Sequence, residues 1–192
     1  MHAPTRSAAG SVSPLRIADP ADAEQLVNLI RSAYRGPTSR VGWTSESHLV
    51  EGGRTDVTQV LGRITAPGSL VLLLEEAGEI VACCHVEDLG AGLAYLGTVA
   101  VQPQRQGGGL GRTLIAEAER RAESTFGSHE IEMTVLAQQE DLIAYYNRRG
   151  FHATGEIRPF PADDIFARPL RNDLRFVVLS KGLEPGHSTV GS

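Results

Sequence analysis

Cysteine is nearly missing from this 192-residue chain: Cys83 and Cys84 are the only two, and they are adjacent. Neighbours in a strand point to opposite faces, so neither has a partner for a disulfide. They read as small core residues of a protein kept in a reducing compartment, the cytoplasm. Long apolar runs are missing as well. The longest strongly apolar stretch, residues 70–74, is far too short to span a bilayer. Residues 1–14 lack the apolar core that a signal peptide needs. Excess positive charge is absent: the net charge of −5 gives no electrostatic support to a nucleic-acid partner. Two familiar phosphate loops are absent too. A P-loop fails because Gln106 stands where its first glycine belongs and Arg112 where its lysine belongs. A dinucleotide fingerprint starting at Gly107 fails at Arg112, so a nicotinamide-dependent reductase is disfavoured.

What is present is an ordinary globular composition, 41% hydrophobic, in a length that suits one domain with a sizeable core. The Ser-, Ala- and Pro-bearing residues 1–14 read as a loose tail, as do residues 183–192, leaving a domain over residues 15–182. The chain begins with a short strand at 15–18. Asp19 and Pro20 form a helix start, with Asp as N-cap and Pro in the first turn. Ala23, Leu26, Val27, Ile30, Ala33 and Tyr34 then recur at helical spacing. Residues 36–54 have no clear period and read as a long loop or broken helix. Thr55 can cap a second helix bearing Val57, Val60, Leu61 and Ile64, which Pro67-Gly68 ends.

Strands at 69–75, 79–86 and 93–101 follow, with joints short enough to make them antiparallel neighbours. A helix with Leu110, Leu114, Ile115 and Ala118 on one face comes next. Beyond it lie a strand at 130–137, a helix at 140–149 with Gly150 as its C′ residue, and strands at 151–157 and 174–181. A Pro- and Asp-rich loop, 158–173, joins the last two. The fold class is α/β (α+β): one domain with a central mixed, mostly antiparallel sheet of about seven strands flanked by helices.

The most informative segment lies between the third long strand and the helix after it. Gln106-Gly107-Gly108-Gly109-Leu110-Gly111-Arg112 is a glycine-rich turn at a helix N-terminus. Such a turn exposes amides that no helical carbonyl satisfies, and the helix dipole adds partial positive charge. Three successive glycines let a large anion approach the backbone, so the site suits phosphate.

Read as Q/R-x-x-G-x-G/A, with Val101 and Pro103 ahead of it, the turn resembles the pyrophosphate loop of the GNAT N-acetyltransferase superfamily. The order of strands and helices is similar to that family's from residue 15 to 182. A second segment, Leu142 to Phe151, resembles its A-x-x-[FY]-Y-x-[KR]-x-G-[FY] helix and strand. Tracts at Gly42-Trp43-Thr44 and Arg158-Pro159-Phe160-Pro161 are similar to a bacterial group within the family that has no assigned substrate.

The resemblance implies acetyl-CoA as cosubstrate, no metal, and an amine acceptor that attacks the thioester directly; a homodimer is compatible with it. The strands before and after the loop should splay apart, with pantetheine pairing to backbone groups of Val99 and Val101. Pyrophosphate would sit on the amides of Gln106, Gly107, Gly108, Gly109, Leu110, Gly111 and Arg112, to which the Arg112 side chain either adds charge or stays in solvent. Tyr146 would be the general acid, protonated at neutral pH because its reference pKa is about 10. Tyr145 competes for that role, but adjacent helical residues stand about 100° apart, so only one can face the sulfur. The oxyanion donor would be a backbone N–H near Val99.

Three departures matter. Gln139 stands where the family has Asn, Leu142 where it has Ala, and Tyr95 where some members carry a base glutamate. His85, Glu87, Asp88 and Glu132 are substitute bases among which the sequence does not choose. The acceptor site is expected where residues 36–56 meet residues 158–173. Trp43, Glu46, His48 and Glu51 lie in the first segment, and Asp163 and Asp164 in the second; carboxylates there would attract an amine cation. The rival reading from another class is an acyl-CoA binding or sensing module without catalysis.

Overall fold

The computed structural model describes residues 15–35, 39, 42, 44–161 and 166–184. Trp43, Asp163, Asp164, residues 1–14 and most of the second expected tail lie outside the described residues.

Seven strands form one sheet in the order β1-β3-β4-β5-β6-β9-β7. In chain order they are β1 (Arg16–Ile17), β3 (Ser69–Glu76), β4 (Glu79–Gly90), β5 (Leu93–Val101), β6 (Glu130–Leu136), β7 (His152–Pro159) and β9 (Arg175–Gly182). All neighbours are antiparallel except β5 and β6, which run parallel. The parallel pair follows from the crossover between them, which contains the glycine loop and helix α3 (Leu110–Phe126). Helices α1 (Ala23–Tyr34) and α2 (Val57–Thr65) cover one face of the sheet; α3 and α4 (Glu140–Asn147) cover the other.

The apolar pattern explains both layers. On α1, Leu26, Ile30, Ala33 and Tyr34 are buried against Val71, Leu73 and Cys83. On α3, Leu114, Ile115, Ala118 and Ala122 are buried against Leu72, Cys84 and Val86. The adjacent cysteines therefore serve opposite cores, as strand alternation requires. Burial pushes both thiols up, Cys83 to about 12, so neither offers a thiolate at neutral pH.

Several local expectations shift. Asp19 does cap its helix start, accepting from Ala21 N at 2.8 Å while Asp22 reaches back to Asp19 N at 2.8 Å. The first turn is a 3₁₀ turn rather than part of α1. Asp56, not Thr55, caps α2, accepting from Gln59 N at 2.8 Å. Strand β4 runs on to Gly90 because it pairs with β5 from Ala82 to Gly90. An element absent from the pattern is a two-stranded ribbon of β2 (Val50–Glu51) and β8 (Arg168–Pro169). It ties residues 36–56 to residues 158–173, reinforced by Leu170 N donating to Leu49 O at 2.9 Å and Arg54 N to Phe166 O at 3.1 Å.

Candidate active site

Strands β5 and β6 pair only at Leu93–Glu130, Ala94–Ile131 and Tyr95–Glu132. Beyond Tyr95 they part, because β6 pairs with β9 over its whole length while β5 stays with β4. The expected splay is thus present. On its β5 side the strand bulges: Cys83 faces Ala100 and His85 faces Gly97, so Thr98 and Val99 together oppose Cys84. Thr98 sits at φ +49°, a strained position for a β-branched residue. Two helix-borne side chains hold the bulge. Tyr34, the last residue of α1, donates its hydroxyl to Val99 O at 2.7 Å, and Arg63 of α2 donates to Thr98 Oγ1 at 3.0 Å. Neither contact is expressed in the local sequence pattern.

A cavity of about 350 Å³ opens in the splay. Val99, Gln139, Leu142 and Tyr146 line it, together with Tyr34, Glu46, Arg54, Arg63, His85 and Tyr95. Tyr146 is buried, its ring edge-on to Tyr145 and Phe151 at 5.3 and 5.9 Å between centroids. Burial holds its hydroxyl well above the ordinary tyrosine pKa, so it stays protonated. Gln139 is the N-cap residue of α4, but its side chain makes no cap hydrogen bond and the residue faces the cavity.

The glycine loop borders a second cleft, of about 560 Å³, lined by Thr44, Val101, residues 105–112, Tyr145 and Arg149. Gly107 and Gly109 adopt φ +83° and +87°, which only glycine takes without strain. Gly109 is the N-cap of α3 and no side chain caps that end, so the first amides of α3 face the cleft uncapped. Gly111 keeps Tyr145 close: a Cβ there would lie 2.8 Å from the Tyr145 hydroxyl. Gln106 locks the start of the loop, donating to Val101 O at 3.2 Å and Thr44 Oγ1 at 3.0 Å.

Two cations of this cleft were not singled out from the sequence. Arg149 lies 3.3 Å over the Tyr145 ring and donates to Tyr145 O at 2.8 Å, while its Nε is buried without a partner. Arg105 pairs with Glu76, one contact at 2.6 Å. Spacing marked neither, because Arg105 belongs to the turn before the glycines and Arg149 sits beyond the helix that carries the tyrosines. The two tyrosines part company as helical geometry requires: Tyr146 faces the inner cavity and Tyr145 the glycine-loop cleft.

The four substitute bases are not brought together. Glu132 is held by Arg158 through two contacts, 2.8 and 3.2 Å, and does not border the cavity. Glu87 and Asp88 lie exposed on β4 and do not border it either. His85 does. Its Nε2 is 2.9 Å from Ser69 Oγ, whose single proton goes to Arg63 O at 2.6 Å. Ser69 must therefore accept, which puts the imidazole proton on Nε2 and leaves Nδ1 with a lone pair. Burial, then Arg63, push this histidine down to about 4, so it is neutral at pH 7.

Of the residues expected around the acceptor, Glu46, His48 and Glu51 are among those described. Glu46 does line the cavity, but it is buried, and its Oε2 accepts from Arg35 at 2.5 Å and from Arg54 at 3.4 Å. Glu51 is exposed and paired with Arg168, and His48 is exposed and away from the cavity. No helix among the described residues is long and apolar enough to cross a membrane.

The model of the acetyltransferase (GNAT) family matches residues 25–151, and the chain belongs to that family. No curated protein is significantly similar in sequence. Solved structures share the fold. The ribosomal-protein-S18-alanine N-acetyltransferase of Escherichia coli is 17% identical, with 93% of this chain and 99% of that one covered at a TM-score of 0.65. The protein yncA of Salmonella typhimurium, solved with its cofactor acetyl-CoA, is 22% identical, with 89% and 94% covered at 0.65. A GNAT family acetyltransferase of Elizabethkingia anophelis with acetyl-CoA bound is 18% identical, with 60% and 77% covered at 0.53.

Proposed function

We propose that this protein is a cytoplasmic N-acetyltransferase that moves an acetyl group from acetyl-CoA to a primary amine of a small molecule or peptide. The observation that carries the reading is the strand between two spaces. Val101 borders the glycine-loop cleft and Val99 the inner cavity, so one strand leads from an anion cradle to an enclosed acyl site. The cradle fits the pyrophosphate of the cosubstrate: it lacks side chains where the backbone must be approached, presents uncapped helix amides and holds an unpartnered buried Arg149 Nε.

Bound acetyl-CoA supplies a thioester carbonyl for the amine to attack. The chain's residues would do the rest. The amides of residues 106–112, with Arg112 and Arg149, hold the anion; the bulge at Val99 presents backbone to the acyl site and supplies a donor for developing negative charge. Tyr146 holds a proton at its buried hydroxyl for the departing sulfur. Gln139, which lines the cavity, would hydrogen-bond the pantetheine arm. Neutral His85 offers Nδ1 as a lone-pair acceptor on the cavity side: a Cβ at Gly97, which also lines the cavity, would lie 3.5 Å from it.

The test is release of free thiol from acetyl-CoA across a panel of small-molecule and peptide amines. Turnover of a primary amine supports the reading. Stabilisation by acetyl-CoA without turnover of any amine would replace it with an acyl-CoA sensing module.

A further inference from the structure

Among the described residues, the walls of the inner cavity carry more positive than negative charge. Among the described lining residues, the carboxylate is Glu46 and the guanidinium groups are Arg54 and Arg63, with His85 neutral. Glu46 is already shared between Arg35 and Arg54. Arg63 is left without an ion pair among the described residues; its side chain makes one hydrogen bond there, to Thr98 Oγ1. A guanidinium has five N–H donors in a fork that matches carboxylate and phosphate oxygens, and it stays charged at any pH the fold survives. A charged group part-buried with one neutral contact is costly unless an anion completes it.

We propose that Arg63 binds an oxyanion of the acceptor, making the acceptor a small amine that carries a carboxylate or phosphate a few bonds from its nitrogen. The position sets the spacing. Arg63 is anchored on Thr98, the residue before Val99, and successive strand residues rise about 3.3 Å. An anion on Arg63 therefore lies close to the acyl site, in the same cavity of about 350 Å³. The inference rests on the transferase reading and names its substrate class.

The experiment compares matched acceptors in the thiol-release assay: L-amino acids beside their α-amides, β-alanine beside its amide, and phosphoethanolamine beside ethanolamine. Hydrogen bonds to a charged group are worth about 1.5–3 kcal/mol, so the anionic member of a favoured pair should show about a tenfold to hundredfold higher kcat/KM. Carboxylate and phosphate arms separate the two sources of oxyanion. Arg63→Gln, which removes the charge but keeps a polar side chain, should raise KM for the anionic member by a similar factor while kcat falls much less, and Arg63→Lys should restore part of the loss.

Equal turnover of anionic and neutral members, or an Arg63→Gln variant that keeps the preference, would overturn the inference and leave the transferase standing. A second readout covers the absence of turnover: calorimetry of N-acetyl-amino acids and their amides on the CoA-saturated protein. An Arg63-dependent preference for the anion without turnover would support the site and sink the transferase reading. No preference in binding or turnover would overturn the site.

Discussion

Lowering the pH from 7 to 5 should cost the fold about 2 kcal/mol through His85 alone. The residue is 7% exposed, its Nε2 proton is given to Ser69, and Arg63 stands near enough to oppose a second positive charge. Burial and Arg63 hold its pKa at about 4 against 6.5 in the unfolded chain. The unfolded state takes up the proton first, so the stability of neutral His85 is present above pH 6.5 and is lost as pH falls toward 4. Linkage with these two values gives a loss of about 2 kcal/mol at pH 5, rising to about 3 kcal/mol at pH 4, both relative to pH 7. The arginine-paired carboxylates Asp22, Glu75, Glu117 and Asp173 are held below their ordinary values of 3.8–4.5 and weaken the fold only in more acid solution. The window from pH 7 to 5 therefore isolates histidine. Urea unfolding at pH 7, 6 and 5 is the assay, on the parent and on His85→Gln. The variant should start less stable at pH 7 and show a pH dependence flatter by about 2 kcal/mol. Parallel curves for the two proteins would refute the argument.

Gly109→Glu should abolish acetyl-CoA binding measured by calorimetry, since it puts charge and bulk at a φ of +87° in front of the α3 amides, and the fold should survive at a cost of about 1–2 kcal/mol; wild-type affinity in the folded variant would dissolve the pyrophosphate assignment. Tyr146→Phe should lower kcat by about 10²–10⁴-fold with little change in acetyl-CoA affinity, and Tyr145→Phe should cost much less in kcat. A crippled Tyr145→Phe enzyme beside an intact Tyr146→Phe enzyme would mean that the proton comes from the glycine-loop side of α4.

What the sequence made legible was what is local. The glycine turn is a run of neighbours whose backbone demands are visible in their residue type, and Gly107 and Gly109 do carry the positive φ that such a turn needs. The helices announced themselves by spacing, and the strands by their turns. The departures are of two kinds. Thr55 and Asp56 are both good caps, and nothing local chooses between adjacent candidates. The bulge at Thr98, the β2–β8 ribbon and the Arg35–Glu46–Arg54 cluster come instead from contacts between distant segments. A threonine at positive φ is not something its own residue type would suggest; Gly97, its neighbour, was the only hint nearby. Counting carboxylates along residues 36–56 does not show that Glu46 shares its charge with Arg35 and Arg54, because those partners are set by the fold.

The bulge explains why these distant contacts converge on one place. A straight β5 would continue its ladder with β4 and present no irregular backbone to the splay. Two residues opposing one turn Thr98 and Val99 out of register, and a strained Thr98 needs outside support to persist. That support comes from the C-terminal ends of two helices on the same face: Tyr34 closes α1 onto Val99 O, and Arg63 near the end of α2 reaches Thr98 Oγ1. Tyr34 in turn lies 4.6 Å under the Arg54 guanidinium, which shares Glu46 with Arg35. Strand strain, helix ends and the charged cluster therefore form one connected wall of the cavity. The opposite wall is α4, whose Tyr146 is fixed by packing on Phe151. The cavity lies between a wall set by long-range polar contacts and a wall set by apolar packing, so under the proposed function the amine-binding half could vary in charge without disturbing the helix that carries Tyr146. This is the physical sense in which one fold can keep a common cosubstrate cradle and still choose its own acceptor.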